Sequence, residues 1–428
     1  MKEKFKLTSL EKGWILYDVG NSAFILIVST LIPIFFNALA ESAGVHEDLY
    51  LSYWGYAGSI ATILVAIIGP VCGAIADRNN KRRIFFISLL VGVAACALLG
   101  AMNGWLSFLA MFILARVGYS ASIVFYDSML PEIASEDRMD KISSMGYAYG
   151  YIGSVIPFIV CLVLVLMCDS FGLTTNAAMS ISFLLICVWW MGCSIPLLKQ
   201  YRQTAFQHPT KAPVKDAFRQ LWSTVKAARE EKHIFLYLLS FFFFIDGVYT
   251  IIDMATAYGA ALGLDTTGLL LALLWTQFVA FPCSILFGRL SAKYDTGLLI
   301  KICILCYTGI TVFGIFLVSQ WQFWVLATLV GMFQGGIQAL SRSYLGKIIP
   351  AERSGEFYGL MDIFGKGASF VGLAMVSLVS QLTAGITVDV FGIRLQNENL
   401  AVGSLIILFI IGYLLFCKAD QLNKERIS

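Results

Sequence analysis

Asp18, Arg116, Asp246, Asp253, Asp362 and Lys366 stand inside long apolar runs of this 428-residue chain. A charge at the centre of an apolar helix costs about 2.5 to 3.5 kcal/mol on insertion scales, so each of these groups is a candidate for holding a charged solute or carrying a proton. Two of them head matching trios. Asp18, Asn21 and Ser22 in the first run have the same spacing as Asp246, Tyr249 and Thr250 in the seventh, and i, i+3, i+4 spacing puts each trio on one helical face. Asp246 lies thirteen residues past His233, about 20 Å along a helix, which sets it near the middle of its run. Asp253, one heptad on, falls on the same face. Asp18 is only four residues inside Trp14, so flank counting makes it shallower than its repeat partner. For every such residue, packing against a hydrogen-bond partner is the alternative reading.

Arg116 stands eleven residues past Trp105 and is the best placed single group to meet a substrate carboxylate or an aspartate of the first run. Asp362 and Lys366 are four apart and can pair with each other. Arg342 and Asp127 stand at run ends, where a boundary charge is the ordinary explanation. Gly146, Gly150 and Gly153 suit helix packing and hinging. All three histidines, His46, His208 and His233, fall in loops or at a run edge, so a proton carrier at membrane depth has to be a carboxylate. Gly359 to Gly367 has five residues between its first two glycines where a phosphate-binding loop needs four, and lacks the following Ser or Thr. No nucleotide or other cofactor is expected. Ten cysteines are scattered through the apolar runs; Cys303 and Cys306 form a CxxC with no second pair or histidine nearby, which reads as packed thiols and assigns no metal.

The elements that must position these residues are twelve apolar runs, near 14–39, 50–75, 84–103, 105–125, 145–168, 174–198, 234–262, 267–290, 298–319, 321–345, 356–383 and 400–417. Each is long enough as a helix to cross about 30 Å of hydrocarbon. Composition agrees, with 58% hydrophobic residues, 13% charged and a mean hydropathy of +0.79. The first run is too long for a secretory peptide and reads as a permanent anchor. Basic residues are sorted into alternate gaps: Lys2 to Lys12 before the first run, Arg78 to Arg83 after the second, Arg138 and Lys141 after the fourth, eight between Lys199 and Lys232, and so on to Arg426. The other gaps hold acids and one basic residue, Arg394. The positive-inside rule then makes both termini cytoplasmic. A net charge of +3, sorted in this way, gives no reason to expect nucleic acid as a partner.

The longest basic gap, 199–232, divides the runs six and six. Within it Ala217, Phe218, Leu221, Trp222, Val225 and Ala228 recur at helical spacing among basic residues, which predicts an amphipathic helix on the inner membrane surface. The halves correspond elsewhere too: Gly73 and Arg78 match Gly288 and Lys293, and Met129-Leu130-Pro131 matches Ile348-Ile349-Pro350. Internal repeats of this kind are the sequence mark of a two-bundle transporter.

Gly73, Asp77, Arg78, Lys81 and Arg82 form a loop that resembles the G-x-x-x-D-R-x-G-R-R signature of the major facilitator superfamily, with Asn80 where the pattern has Gly. Gly73 allows two helices to approach, and Asp77 can sit on the positive N-terminal end of the eleventh helix near Ser354 to Glu356, a contact worth about 0.3 to 2 kcal/mol that would serve as a gate. Trp14 to Phe24, Phe125 to Pro131, Ile245 to Thr250 and Gly335 to Ser343, which includes Gln338, are similar to the branch containing the autophagy-linked vacuolar amino-acid effluxers and their bacterial relatives. The second-half loop departs from the signature, with Ala292 opposite Asp77.

The resemblance implies an all-α polytopic fold, twelve transmembrane helices in two pseudo-symmetric six-helix bundles at 1–198 and 233–428, joined by a linker at 199–232. It implies secondary transport of a small solute, with amino acids the leading class, by a monomer in a bacterial plasma membrane. Together with the intramembrane carboxylates this makes the proton the expected coupling ion. Membrane lipid and a small-molecule substrate are the expected partners. A membrane-embedded transferase would need a catalytic cluster at an interface, and no histidine lies inside a run to supply one. A non-transporting sensor or a lipid translocator on the same scaffold is the remaining alternative; flux of solute against movement of labelled lipid in vesicles separates them.

Overall fold

The computed structural model describes residues 5–28, 30–46, 49–79, 81–205, 231–383, 386–390 and 393–427. The expected amphipathic helix at 217–228 lies outside these. Each of the twelve apolar runs lies on helix: α1 (Ser9–Val28) with α2 (Leu31–Ser42), α3 (Tyr50–Asn79), α4 (Lys81–Leu99), α5 (Trp105–Ser128), α7 (Glu136–Leu166), α8 (Thr175–Gln200), α9 (Lys232–Ala261), α10 (Thr266–Leu290), α11 (Thr296–Ile315), α12 (Gln320–Ile348), α13 (Ser354–Leu382), and α14 (Asn397–Gly403) with α15 (Leu405–Ile427). A single turn, α6 (Leu130–Ile133), follows α5.

Among the described residues ten helical spans are long and apolar enough to cross a membrane, and α3 and α13 add shorter apolar stretches, Tyr53–Gly69 and Val371–Leu382. Leu166 and Val188 are each 74% exposed, a degree of apolar exposure that suits a lipid-facing wall.

Two details differ from twelve plain helices. The first run breaks between α1 and α2, where the Thr30 hydroxyl donates to the Leu26 carbonyl at 2.7 Å; the last breaks between α14 and α15, where the Ser404 hydroxyl donates to Ala401 at 2.6 Å. Hydroxyls that bond back to the preceding turn compete with the helical ladder. Before the last run, β1 (Val388–Val390) and β2 (Ile393–Leu395) form an antiparallel hairpin that pairs Asp389 with Arg394. This pair of three-residue strands is too short to register in hydropathy and leaves the fold all-α.

The chain falls into two compact units. Unit 1 comprises Met1–Ser135, Tyr149–Leu221 and Pro350–Gly359; unit 2 comprises Glu136–Ala148, Trp222–Ile349 and Leu360–Ser428. The first turns of α7 thus cluster with unit 2, and those of α13 with unit 1.

Small residues set the packing inside each unit, as expected where helices associate without a hydrophobic driving force. In unit 1 a Cβ on Gly118 would lie 2.6 Å from the Gly92 Cα, which fixes α5 against α4, while Phe24 and Tyr119 gather around Trp190. In unit 2 the Phe409 ring of α15 lies against Gly247 of α9, and the Ser240 hydroxyl donates to the Gly412 carbonyl at 2.7 Å. That pairing of α9 with α15 orients the remaining face of α9, which carries Asp246.

Candidate functional site

Asp246 sits at the middle of the 30-residue α9 and is fully buried. Its Oδ1 accepts the Gly372 N–H at 2.9 Å and the Thr250 hydroxyl at 3.3 Å. Its Oδ2 is buried and has no hydrogen-bond partner among the described residues, and no cation pairs with the carboxyl there. A carboxylate so placed, ionised and without a counter-charge, carries a large desolvation cost. The Gly372 contact needs glycine: a Cβ at that position would stand 2.5 Å from Asp246 Oδ1 and closer still to the Thr250 hydroxyl. An apolar cavity begins one turn beyond, lined by Thr250, Ile251, Met254, Tyr258, Thr311 and Val376.

The expected companions of Asp246 separate. Tyr249 is half-buried, whereas Asp253, which the heptad put on the same face, is exposed. Seven residues is two turns less 20° on an α-helix, so Asp253 is offset only slightly in angle from Asp246. Asp362 is half-buried on α13, and the Lys366 side chain lies outside the described residues, so their pairing does too. Gln338 is half-buried on α12.

In unit 1 Asp18 and Asn21 of the matching trio are buried and Ser22 is half-buried. Asp18 is 6% and Asn21 2% exposed, and Asn21 Nδ2 donates to Asp18 Oδ1 at 3.2 Å and to the Tyr17 carbonyl at 3.1 Å. A Cβ on Gly150 would fall 2.8 Å from the Ser22 hydroxyl. Gly150 of α7 against Ser22 of α1 is the counterpart of Gly372 of α13 against Thr250 of α9. Neighbouring contacts hold α1 in place: Trp14 stacks on Tyr126 at 4.3 Å with its indole N–H on the Tyr126 carbonyl, and the Tyr17 and Ser122 hydroxyls are bonded at 2.7 Å. Arg116 is half-buried on α5 and makes no hydrogen bond or ion pair among the described residues.

The loop after the second run is a closed network within unit 1. Asp77 lies past the apolar run, wholly buried, and its two oxygens accept the N–H groups of Gly355 and Glu356 at 2.9 and 3.0 Å. These amides are among those a helix leaves unpaired at its start, and they carry the positive end of its dipole. Burial pushes the Asp77 carboxyl up to about 6, against the Lys81 charge and the two amides, which pull it down. Gly73 lets this happen, since its backbone meets that of Gly355 and a Cβ on Gly355 would come 2.6 Å from the Gly73 carbonyl oxygen.

Lys81 is fully buried, with its ammonium 3.4 Å from Asp77 Oδ1, 2.7 Å from Glu132 Oε1 and 2.9 Å from the Ser354 hydroxyl. Arg82 is exposed and the Arg78 side chain lies outside the described residues, so Lys81 carries the structural role that the signature shares among three cations.

Sequence reasoning missed Glu132, whose carboxylate also accepts the Tyr201 hydroxyl at 2.9 Å and the Thr204 and Ala205 N–H groups at 2.7 and 3.2 Å. The signal was present, since Glu132 follows Pro131 of a repeated tripeptide. Unit 2 holds a second network that was also missed. Asp140, near the start of α7, accepts the Lys347 ammonium and the Thr296 and Ser343 hydroxyls, each at 2.6 Å. One turn away Arg342 donates to the Ser143 hydroxyl at 2.9 Å and lies over the Tyr147 ring at 4.4 Å. Arg342, at a run end, is 3% exposed and buried in this network. Ala292, opposite Asp77 in the repeat, leaves the carboxylate of this network to come from α7 instead.

Comparison with known proteins agrees with this architecture. The chain is 37% identical to the uncharacterised MFS-type transporter YxiO of Bacillus subtilis strain 168 over 99% of its own length and 97% of that protein's. It is 22% identical to autophagy-related protein 22 of Kluyveromyces lactis, covering 88% of each. Among solved structures, a bacterial homologue of the iron transporter ferroportin in its outward-facing state superposes with a TM-score of 0.71 at 14% identity, covering 96% of this chain and 98% of that one. The major facilitator superfamily transporter FucP in its outward conformation gives 0.70 at 13%, covering 96% and 97%. At these identities the structural matches establish the fold. The sequence profile of the family described as vacuole effluxer Atg22 like matches residues 9–426, so the chain belongs to that family of major facilitator transporters.

Proposed function

We propose that this transporter moves a small solute by alternating access in exchange for, or together with, protons, and that amino acids, the class its family resemblance implies, are its substrates. The observation that carries the proton assignment is Asp246: mid-helix, fully buried, with one oxygen bonded and the other unpartnered among the described residues. A proton from the aqueous side, taken at Oδ2, converts the carboxylate to a neutral acid without displacing either existing bond. Arg116 supplies the complementary charge for a substrate carboxylate, being a half-buried cation in mid-helix that no described carboxylate neutralises. Asp18 and Asn21 form the corresponding polar site of the first half. The loop around Asp77 and Lys81 serves as the gate, on the cytoplasmic side by the charge sorting, with both termini on that side. The protein works as a monomer in the bacterial plasma membrane.

The test begins by screening purified protein for thermal stabilisation by amino acids, peptides, sugars and nucleosides, since a ligand of the folded state raises its apparent stability. The stabilising solute is then followed in proteoliposomes under an imposed pH gradient. Asp246→Asn should abolish gradient-driven accumulation and leave solute-for-solute exchange running. Undiminished accumulation in that variant would remove the proton assignment, and stabilisation by sugars or nucleosides alone would remove the substrate class.

A further inference from the structure

Residues 201–205, which follow α8, bond to both of the helix ends that carry Asp77 and Lys81. Asp77 stands near the end of α3 and Lys81 at the start of α4, where carbonyls and N–H groups run out of partners within their own helices. The side-chain amide of Gln203 serves both ends. Its Oε1 accepts the Lys81 N–H at 3.0 Å, while its Nε2 donates to the Ala76 carbonyl at 3.1 Å and, within its own segment, to the Ala205 carbonyl at 3.0 Å. A primary amide supplies donor and acceptor at once, and does so here without adding a charge beside the carboxyls of Asp77 and Glu132.

Glu132 ties the same segment to the Lys81 ammonium. Its Oε1 accepts that ammonium at 2.7 Å and the Tyr201 hydroxyl at 2.9 Å. Among the described residues its Oε2 bonds only to the segment, accepting the Thr204 and Ala205 N–H groups at 2.7 and 3.2 Å and the Thr204 hydroxyl at 3.3 Å. The Glu132 side chain is 1% exposed and Tyr201 is buried, so seating the segment both shields this carboxylate and completes its bonds. All these groups, together with Gly355 and Glu356 on Asp77, belong to unit 1.

We propose, on the reading of the loop around Asp77 and Lys81 as the gate, that Gln203 is a positioning residue of that gate. Bonded to the end of α3 and the start of α4, it sets the spacing of Asp77 and Lys81 and so keeps Asp77 aligned on the Gly355 and Glu356 N–H groups. The gate thereby includes the first residues of the segment that joins the halves. When residues 201–205 lift away, the Ala76 carbonyl and the Lys81 N–H lose their shared partner, Glu132 loses its bonds to Tyr201, Thr204 and Ala205, and the two helix ends are free to shift against each other.

Hydrogen exchange of the full chain at a single fixed pH tests this role, read by mass spectrometry on fragments that resolve Gly355 and Glu356. Gln203→Ala removes the whole amide, and Gln203→Glu keeps an acceptor for the Lys81 N–H while losing the donor to Ala76. Each should raise exchange at the two amides about threefold or more, the scale of one net hydrogen bond, and leave the amides around Trp190 in the core of unit 1 unchanged. Arg202→Ala, which removes from the same segment an exposed side chain with no bond among the described residues, should match wild type. Wild-type exchange at Gly355 and Glu356 in both Gln203 variants overturns the assignment. An equal rise around Trp190 overturns it too, since general loosening of the unit is not positioning. The gate is checked apart, in proteoliposomes, by counterflow of a labelled L-amino-acid mixture: unchanged counterflow in Asp77→Ala, with the rise at Gly355 and Glu356 still present in the Gln203 variants, removes the gate reading and with it the role of Gln203, while leaving the contact itself in place.

Discussion

Asp77 has both carboxylate oxygens occupied by backbone donors and a lysine ammonium beside it, yet burial still leaves its carboxyl raised to about 6. The direction fixes a pH dependence. The packed arrangement binds the Asp77 proton more tightly than a solvated aspartate near 3.8 does, so its contribution is fully present below that value and is lost as pH rises through about 6. The contact should therefore be more persistent at mildly acidic than at neutral pH. The ratio of exchange rates at Gly355 and Glu356 between wild type and Asp77→Asn, which cancels the intrinsic pH dependence of exchange, should change between pH 4 and 6 and be flat above about 7. A ratio constant over the whole range would show that the carboxyl does not titrate in this contact. Asp77→Ala should slow turnover about tenfold or more at unchanged abundance, because two buried amides are left without an acceptor at about 1 to 3 kcal/mol each.

Helix contacts extend the same logic to larger pieces. α3 meets the start of α13 backbone to backbone at Gly73, whereas a Cβ on Gly58, farther up α3, would meet nothing within 4 Å. Gly73→Ala should lower the thermal midpoint by an overpacking cost of about 1 to 3 kcal/mol. Gly58→Ala, in an open part of the same helix, should match or exceed wild type through helix propensity, by up to about 1 kcal/mol. Equal melting of the two variants would mean that α3 and α13 are not in contact at Gly73. How much of this was legible in sequence follows from the range of each interaction. Helix positions were legible because apolar length is a local property, and the Asp77 contact because a signature marks one side of it. The Asp140–Lys347 pair joins residues 207 apart, and its repeat position, Ala292, carries no polar group to point to it. Gly372 looked like any other glycine in an apolar run until the side chain of Asp246 was placed against it. The burial of Arg342 was not legible because hydropathy cannot show that a charge at a run end is packed under the start of another helix.

Charge sorting constrains the whole molecule in a way that no single contact does. The networks at Asp77 and Asp140 both stand at helix ends flanked by basic gaps, and the residues forming them come from the Lys/Arg-rich side of α3, α4, α7, α12 and α13. If positive residues stay inside, both networks face the cytoplasm, and Asp265, in an acid-bearing gap, faces the other compartment. The expectation is strict because an error of one span anywhere would reverse the sign of every later gap, and the basic residues keep their alternation from Lys2 to Arg426 with Arg394 the one exception. Reporter fusions at Lys215 and at Asp265 should therefore read opposite compartments, with the Lys215 fusion cytoplasmic. A shared compartment for the two would require an odd number of errors among the spans between them and would break the pairing of the halves. Both fusions inverted would keep the fold but place the Asp77 and Asp140 networks on the outer face, so that the pH dependence argued for Asp77 would respond to the external medium. Measuring that dependence in right-side-out vesicles with the two solutions buffered separately distinguishes these outcomes: response to the internal pH alone is the expected result.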